Sequence, residues 1–374
     1  MSWRTVILGE VCILNYGKNL PSAKRKKGDF PVYSSAGFID LHSEPYVKSE
    51  GIIIGRKGTV GKVYFSNVPF YPIDTSYYIL PDEKYNLKFL YYNIQTLGLE
   101  NLNSDAAVPG LNRNNAYAQL INIPTLPTQK RIADILSAYD DLIENNLKRI
   151  ELLEQAAQNI YKEWFVHMRF PGHEDAVIDE ETGLSKGWEK SKLGDLVSLQ
   201  QGFALNKKSR HHISEVKTTY PLLKISDLFK GIESLFVKET IPKQFLVDKH
   251  EIIFSRTGQV GHAFIGRKGV VYNNCFRVTP NEKIDSLFLY ETLIEPRFVS
   301  YVKGLATGAA QPDLNHGAFK GIEITLPSLD IQLSFSKIKL NYQKMKFNLI
   351  EQNQKLKAAR DILLPRLMNR TIEV

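Results

Sequence analysis

Apolar residues along this chain follow two spacings. Between residues 129 and 166, Ile132, Leu136, Tyr139, Ile143, Asn146, Ile150, Leu153, Ala157, Ile160 and Trp164 alternate steps of four and three, the seam of a helix that lies along another helix. From residue 334 onward Phe335, Ile338, Tyr342, Met345, Leu349, Gln352, Leu356, Ala359 and Leu363 keep that alternation, and Pro365 is expected to stop or kink the helix. Elsewhere the apolar runs are short, as at residues 52–54 and 252–254, and are bounded by Gly, Pro and Asn, as strands are. The pattern predicts an α+β chain of two globular units alternating with two long helices, divided at residues 1–127, 128–186, 187–327 and 328–374.

The chain also repeats itself, in order. Residues 3–10 (WRTVILGE) match 188–195 (WEKSKLGD), 51–65 (GIIIGRKGTVGKVYF) match 251–265 (EIIFSRTGQVGHAFI), and 106–112 (AAVPGLN) match 309–315 (AAQPDLN). Leu126-Pro127-Thr128 pairs with Leu326-Pro327-Ser328 at the threshold of each helix. Such self-similarity marks an internal duplication. Each seam is broken by one amide near its middle, Asn146 in the first and Gln352 in the second. The loop at residues 170–190, rich in Pro, Gly and acids, must let the chain return, so the simplest solution is an antiparallel coiled-coil pair. With midpoints opposed, Asn146 and Gln352 are expected to bond each other and fix the register. The alternative is that both amides reach water at the edge of the stripe.

At 374 residues, 43% of them hydrophobic, the chain can bury more than one core. Its 48 Lys and Arg against 40 Asp and Glu leave a net charge of +8, which favours a polyanionic partner. Residues 128–186 run the other way, with seven Lys and Arg against twelve Asp and Glu; this stretch is expected to face away from phosphate, toward a protein. Cys12 and Cys275 are too few for a metal site or a disulfide framework and fit a reducing cytoplasm. No apolar run approaches the roughly 20 residues that span a bilayer.

The most informative segments are Gly55-Arg56-Lys57-Gly58-Thr59-Val60-Gly61-Lys62 and Ser255-Arg256-Thr257-Gly258-Gln259-Val260-Gly261-His262. Each sets a cation among small residues at a turn, where backbone can approach a phosphate and Arg can reach a base edge or another phosphate. Candidate DNA contacts are therefore Arg56, Lys57, Lys62, Arg256, Gln259 and His262, with Arg113 just beyond the AAVPGLN segment. Two basic clusters, Lys24-Arg25-Lys26-Lys27 and Lys207-Lys208-Ser209-Arg210, lie at comparable places and could track a backbone. The plainer alternatives are hairpin glycines chosen for positive φ and solvated charged loops. The first turn is not a P-loop, since five residues separate Gly55 from Gly61 and Val63 stands where Ser or Thr would hold magnesium. Neither a loop for S-adenosylmethionine nor an Asn-Pro-Pro-Tyr tetrapeptide occurs, and no catalytic or metal-binding constellation is evident. The expectation is a chain with no cofactor and no catalysis of its own.

The stretch LPTQKRIADILSAYDDLIENNLKRIELLEQAAQNIYKEWFVHMRFPGH, residues 126–173, resembles the central helical region of type I restriction-modification specificity subunits, and Arg360-Asp361-Ile362-Leu363-Leu364-Pro365-Arg366-Leu367-Met368 is similar to their C-terminal region. In layout the resemblance covers the whole chain. One departure is that the second helix opens on Leu329-Asp330-Ile331-Gln332 where the first has Gln129-Lys130-Arg131-Ile132. The resemblance implies two target-recognition domains separated by the helix pair and a division of labour. This chain reads double-stranded DNA, two modification subunits bind S-adenosylmethionine and methylate an adenine in each half-site, and restriction subunits translocate and cut. Helices of roughly 35 residues are about 50 Å long, or about 15 base-pair steps, so a bipartite target with an unread gap is expected. Its halves are expected to differ, because the two units differ between their matched segments. The rival readings are a protein-binding adaptor on a coiled-coil rod and an RNA-binding protein. Loss of binding at high salt separates nucleic acid from the first, and preference for duplex DNA separates the second.

Overall fold

The computed structural model describes residues 3–102, 110–308 and 310–374. Of the matched segments AAVPGLN and AAQPDLN, residues 106–109 and Ala309 lie outside the described residues. The chain divides into two compact units, Met1–Arg149 with Asn348–Val374, and Ile150–Phe347.

In the first unit a four-stranded antiparallel sheet runs in the order Asn15–Tyr16, Ser76–Ile79, Gly51–Gly55, Val63–Ser66. The central strand GIIIG is buried throughout because both its faces are covered. Successive side chains alternate sides: Ile52 and Ile54 meet Phe89 and Leu90 of helix Leu87–Gln95, while Ile53 meets Val47 and Phe70. A two-stranded ribbon, Arg4–Ile7 with Leu120–Ile123, leads into the first long helix. The second unit repeats this plan. Its sheet is ordered Val197–Gln201, Cys275–Pro280, Ile252–Ser255, Ala263–Phe264. Ile252 and Phe254 face Phe288 and Leu289 of helix Ser286–Ile294, Ile253 faces Val271 and Cys275, and the ribbon is Glu189–Lys192 with Glu323–Leu326.

The long helices span Leu126–Tyr161 and Leu329–Met368. Within the first unit Ile132 and Leu136 share a core with Leu364 and Leu367; within the second Tyr161 and Phe335 share one with Phe288. The helices are antiparallel. Residue numbers fall on one as they rise on the other: Asp140 accepts from Arg360 and Asn146 lies against Asn353 in the first unit, and Glu154 pairs with Lys346 in the second.

Three expectations are corrected here. The partner of Asn146 is not Gln352, which is exposed, but its neighbour Asn353: Asn146 Nδ2 donates to Asn353 Oδ1 at 2.9 Å, and Asn353 Nδ2 to the Ile143 carbonyl at 3.4 Å. An amide pair is still buried in the seam, but the second stripe runs through Tyr342, Lys346, Leu349, Asn353, Leu356 and Arg360, while Met345, Gln352 and Ala359 are exposed. Lys346 and Arg360 reach carboxylates on the facing helix, so these polar side chains occupy seam positions that hydrophobicity alone assigns to their neighbours.

Pro365 does not stop the second helix, which continues to Met368. Leu364, Leu367 and Met368 are buried in the first unit's core, and that burial offsets the single backbone hydrogen bond a proline removes. The openings of the two helices also correspond, once Pro124 rather than Pro127 is set against Pro327. Gln129 Oε1 accepts from Asn86 N at 2.8 Å and its Nε2 donates to the Pro124 carbonyl at 2.9 Å. Gln332 does the same with Asp285 N and the Pro327 carbonyl, each at 2.8 Å. Asn86 and Asp285 in turn cap helices Leu87–Gln95 and Ser286–Ile294, so one glutamine per unit ties a long helix to the cap of the globular helix beneath it.

Candidate nucleic-acid interface

Both basic turns have the same backbone. Gly55 N donates to the Lys62 carbonyl at 2.8 Å and Gly61 N to the Gly55 carbonyl at 2.8 Å; Ser255 N donates to the His262 carbonyl at 2.8 Å and Gly261 N to the Ser255 carbonyl at 3.1 Å. Gly58 and Gly258 have φ of 81° and 79°, and Gly61 and Gly261 of 73° and 91°, the left-handed region that side chains resist. Arg56 and Lys57 donate their N–H groups to the Thr75 carbonyl, as Arg256 and Thr257 do to that of Asn274. The Arg56 and Arg256 carbonyls accept from Leu111 N and Leu314 N, which seats the next matched segment beside each turn. There Asn112 caps helix Arg113–Tyr117 and Asn315 caps His316–Lys320.

Space around these glycines differs, which gives a prediction. A Cβ on Gly61 would lie 2.2 Å from Glu100 N, whereas one on Gly261 meets nothing nearer than Val299 Cγ1 at 3.5 Å. Gly261→Ala is expected to cost about 1–2 kcal/mol from backbone strain alone. Gly61→Ala must also displace backbone and is expected to exceed about 3 kcal/mol. Denaturant unfolding of the two variants tests the order, and equal losses would contradict it.

Side chains on the two frames diverge. In the first unit the guanidinium of Arg56 sits 5.1 Å from the ring centre of Tyr16 and 5.9 Å from Tyr77, and that of Arg113 sits 5.1 Å from Tyr16 and 5.9 Å from Tyr117. Tyr77 Oη donates to the Leu111 carbonyl, and burial pushes this phenol up to about 12, so it supplies no negative charge at neutral pH. Among the described residues neither arginine has a carboxylate partner. Together with Lys57, Asn112 and Asn114 they line a cleft of about 380 Å³.

In the second unit Arg256 Nη2 meets Asp313 Oδ2 at 2.6 Å and its Nε donates to the Leu314 carbonyl, over the Phe276 ring at 5.3 Å. Thr257 Oγ1 donates to the other oxygen of Asp313. Arg256 is thus a neutralised clip between two loops. The place of Arg113 is taken by His316, whose pKa is lowered by burial and then by Arg256 and Lys320. Near this turn Gln259 is exposed, and His262 lies against Phe229, its ring centre 4.9 Å away, in a cleft of about 560 Å³ with Lys303. Burial and Lys303 lower the His262 pKa, so at neutral pH it offers an uncharged imidazole.

Of the basic clusters, Lys24, Lys26 and Lys27 are exposed, as are Lys57, Lys62, Lys207, Lys208 and Arg210. Arg25 differs: its Nη1 pairs with Asp40 at 3.2 Å and only 16% of its side chain is accessible, which makes it a local brace. Sequence reasoning missed Tyr16 and Asp313. Asp313 was visible as the acid in AAQPDLN where AAVPGLN has Gly110, but Tyr16 stands 40 residues before Arg56, and nothing local announces the contact. Among the described residues no group of acids, His and Cys could hold a metal ion, and no helix is long and apolar enough to cross a membrane.

The type I restriction modification DNA specificity domain matches this chain twice, over residues 1–155 and 185–358. The specificity subunit of type I restriction enzyme MjaIX from Methanocaldococcus jannaschii is 26% identical over 96% of this chain and 90% of its own length. That of HindI from Haemophilus influenzae is 27% identical over 70% of this chain and 71% of its own. Among solved structures, the S subunit of a type I restriction-modification system from M. genitalium superposes with a TM-score of 0.60 at 17% identity, covering 98% of this chain and 96% of that one, a likeness of fold. The two matched stretches coincide with the repeat read from residues 3–10 and 188–195 onward, and they span most of the chain, which therefore belongs to the type I restriction modification DNA specificity domain family.

Proposed function

We propose that this chain is the non-catalytic subunit that reads DNA for a type I restriction-modification complex, each unit contacting one half of an asymmetric two-part target. The observation that carries this is one turn, repeated in backbone detail, dressed with different side chains: a preserved frame suits docking on a regular duplex, and altered side chains suit different half-sites. Exposed Lys24, Lys26, Lys27, Lys57, Lys62, Lys207, Lys208 and Arg210 supply backbone attraction, and Gln259 and His262 face the half-site of the second unit. The helix pair sets the length of the unread gap. Its outer faces, with Leu142 and Leu147 more than half exposed, receive two methyltransferase subunits, which bind S-adenosylmethionine and modify adenine; restriction subunits join them. The complex works in the cytoplasm.

The test is single-molecule methylation mapping of DNA exposed to this chain with its cognate modification subunits, against a control lacking the chain. Methylated adenines at an asymmetric motif with a fixed gap, present only with the chain, are expected. A map unchanged by the chain would favour the adaptor reading.

A further inference from the structure

Equivalent positions in the two units differ in charge compensation in one place. In the first unit Lys57 bridges to Gly110, and in the second Thr257 bridges to Asp313, so glycine stands where the other unit carries the carboxylate that neutralises its turn arginine. Arg56 and Arg113 both lie 5.1 Å from the Tyr16 ring centre and so no more than about 10 Å apart, which concentrates positive potential at one ring. Stacking on tyrosine holds each guanidinium in place without using its N–H donors. Two such cations gathered at one exposed ring, in an open cleft and with no carboxylate partner among the described residues, are relieved by an anion.

We infer that the Tyr16 cleft of the first unit, with Arg56 and Arg113, is a clamp for a backbone phosphodiester of duplex DNA, and that the second unit has no counterpart because Asp313 occupies it. This rests on the DNA-reading function proposed above. A phosphate is favoured over a guanine edge because a neutral base would leave that potential in place, whereas a phosphodiester cancels one of the two charges. Grip and discrimination are then shared unequally. The first unit supplies more of the salt-sensitive, sequence-independent attraction, and the second relies more on neutral groups such as Gln259 and His262.

The experiment measures binding of the full chain, with its modification subunits, to target and unrelated duplexes across a salt series. Each phosphate contact contributes about 0.9 to the slope of log affinity against log salt. The double variant Arg56→Ala, Arg113→Ala is expected to lower the slope on both duplexes by about 1. The double variant with Lys at both positions should keep it, and this excludes misfolding as the cause. Gly110→Asp, which installs the second unit's carboxylate while keeping both arginines, should also lower the slope. An unchanged slope in the Ala variant with a relaxed preference at one base would overturn the clamp in favour of base reading while leaving the DNA-reading function intact. Parental complex that shows no salt-dependent binding to any duplex would overturn both.

Discussion

Removing residues 147–153 together with 346–352 is expected to shorten the unread gap of the target by about three base pairs and leave both half-sites unchanged. These two stretches begin beside Asn146 and end beside Asn353, so the deletion takes one heptad from each helix on the same side of the amide pair and preserves the seam's phase. Seven residues at about 1.5 Å are about 10 Å, or about three steps of 3.4 Å. After the deletion Glu154 follows Asn146 directly and Met345 precedes Asn353 directly, and the apolar spacing around them stays heptad-like. Methylation mapping reads the outcome at base resolution. An intact gap in a folded, active variant would show that the helix pair does not set it.

Lys339→Ala is expected to destabilise the second unit by about 3–5 kcal/mol, the range for leaving one member of a buried ion pair alone. Lys339 Nζ lies 2.5 Å from Glu291 Oε1, with 12% and 2% of their side chains accessible. Glu291 belongs to helix Ser286–Ile294, whose cap Asp285 is already tied to the second long helix through Gln332 and Ser336. The adjacent Thr292 accepts from Tyr161 Oη at 3.0 Å on the first long helix. Loss of the lysine therefore strands a carboxylate at the point where both long helices meet the core of this unit. The double variant Lys339→Met, Glu291→Leu should recover most of the loss, because two apolar groups of similar size remove the desolvation penalty along with the attraction. Urea unfolding of the three proteins measures this, and a single variant as stable as the parent would show the pair to be solvated.

What the sequence made legible was periodic or repeated. Two glycines at equal spacing, 200 residues apart, announced the common turn, and the alternation of four and three announced both helices. What stayed hidden depended on contacts between distant residues. Lys346, Asn353 and Arg360 are polar, so hydrophobicity shifted the second stripe by one position onto Met345, Gln352 and Ala359. Matching Leu-Pro-Thr to Leu-Pro-Ser by identity put the helix openings out of step by three residues, and only the bonds made by Gln129 and Gln332 reset them. The positive character of Arg256 looked equal to that of Arg56 until Asp313 was found beside it. Charge in a sequence counts cations; whether each is available depends on the fold.

The division of the chain into units has a consequence for its synthesis. The second unit is a continuous stretch, Ile150–Phe347, whereas the first needs Asn348–Val374 added to residues made before it. Leu364, Leu367 and Met368 complete the core that contains Leu8 and Leu14, so that core keeps apolar surface uncovered until residues 348–374 have been added. Domains generally fold as units in the order they emerge, but here the domain begun first is finished last. A chain cut after residue 347 would carry a complete second unit joined to a first one that lacks Asn348–Val374, so completion of the first unit is tied to synthesis of everything between its two parts.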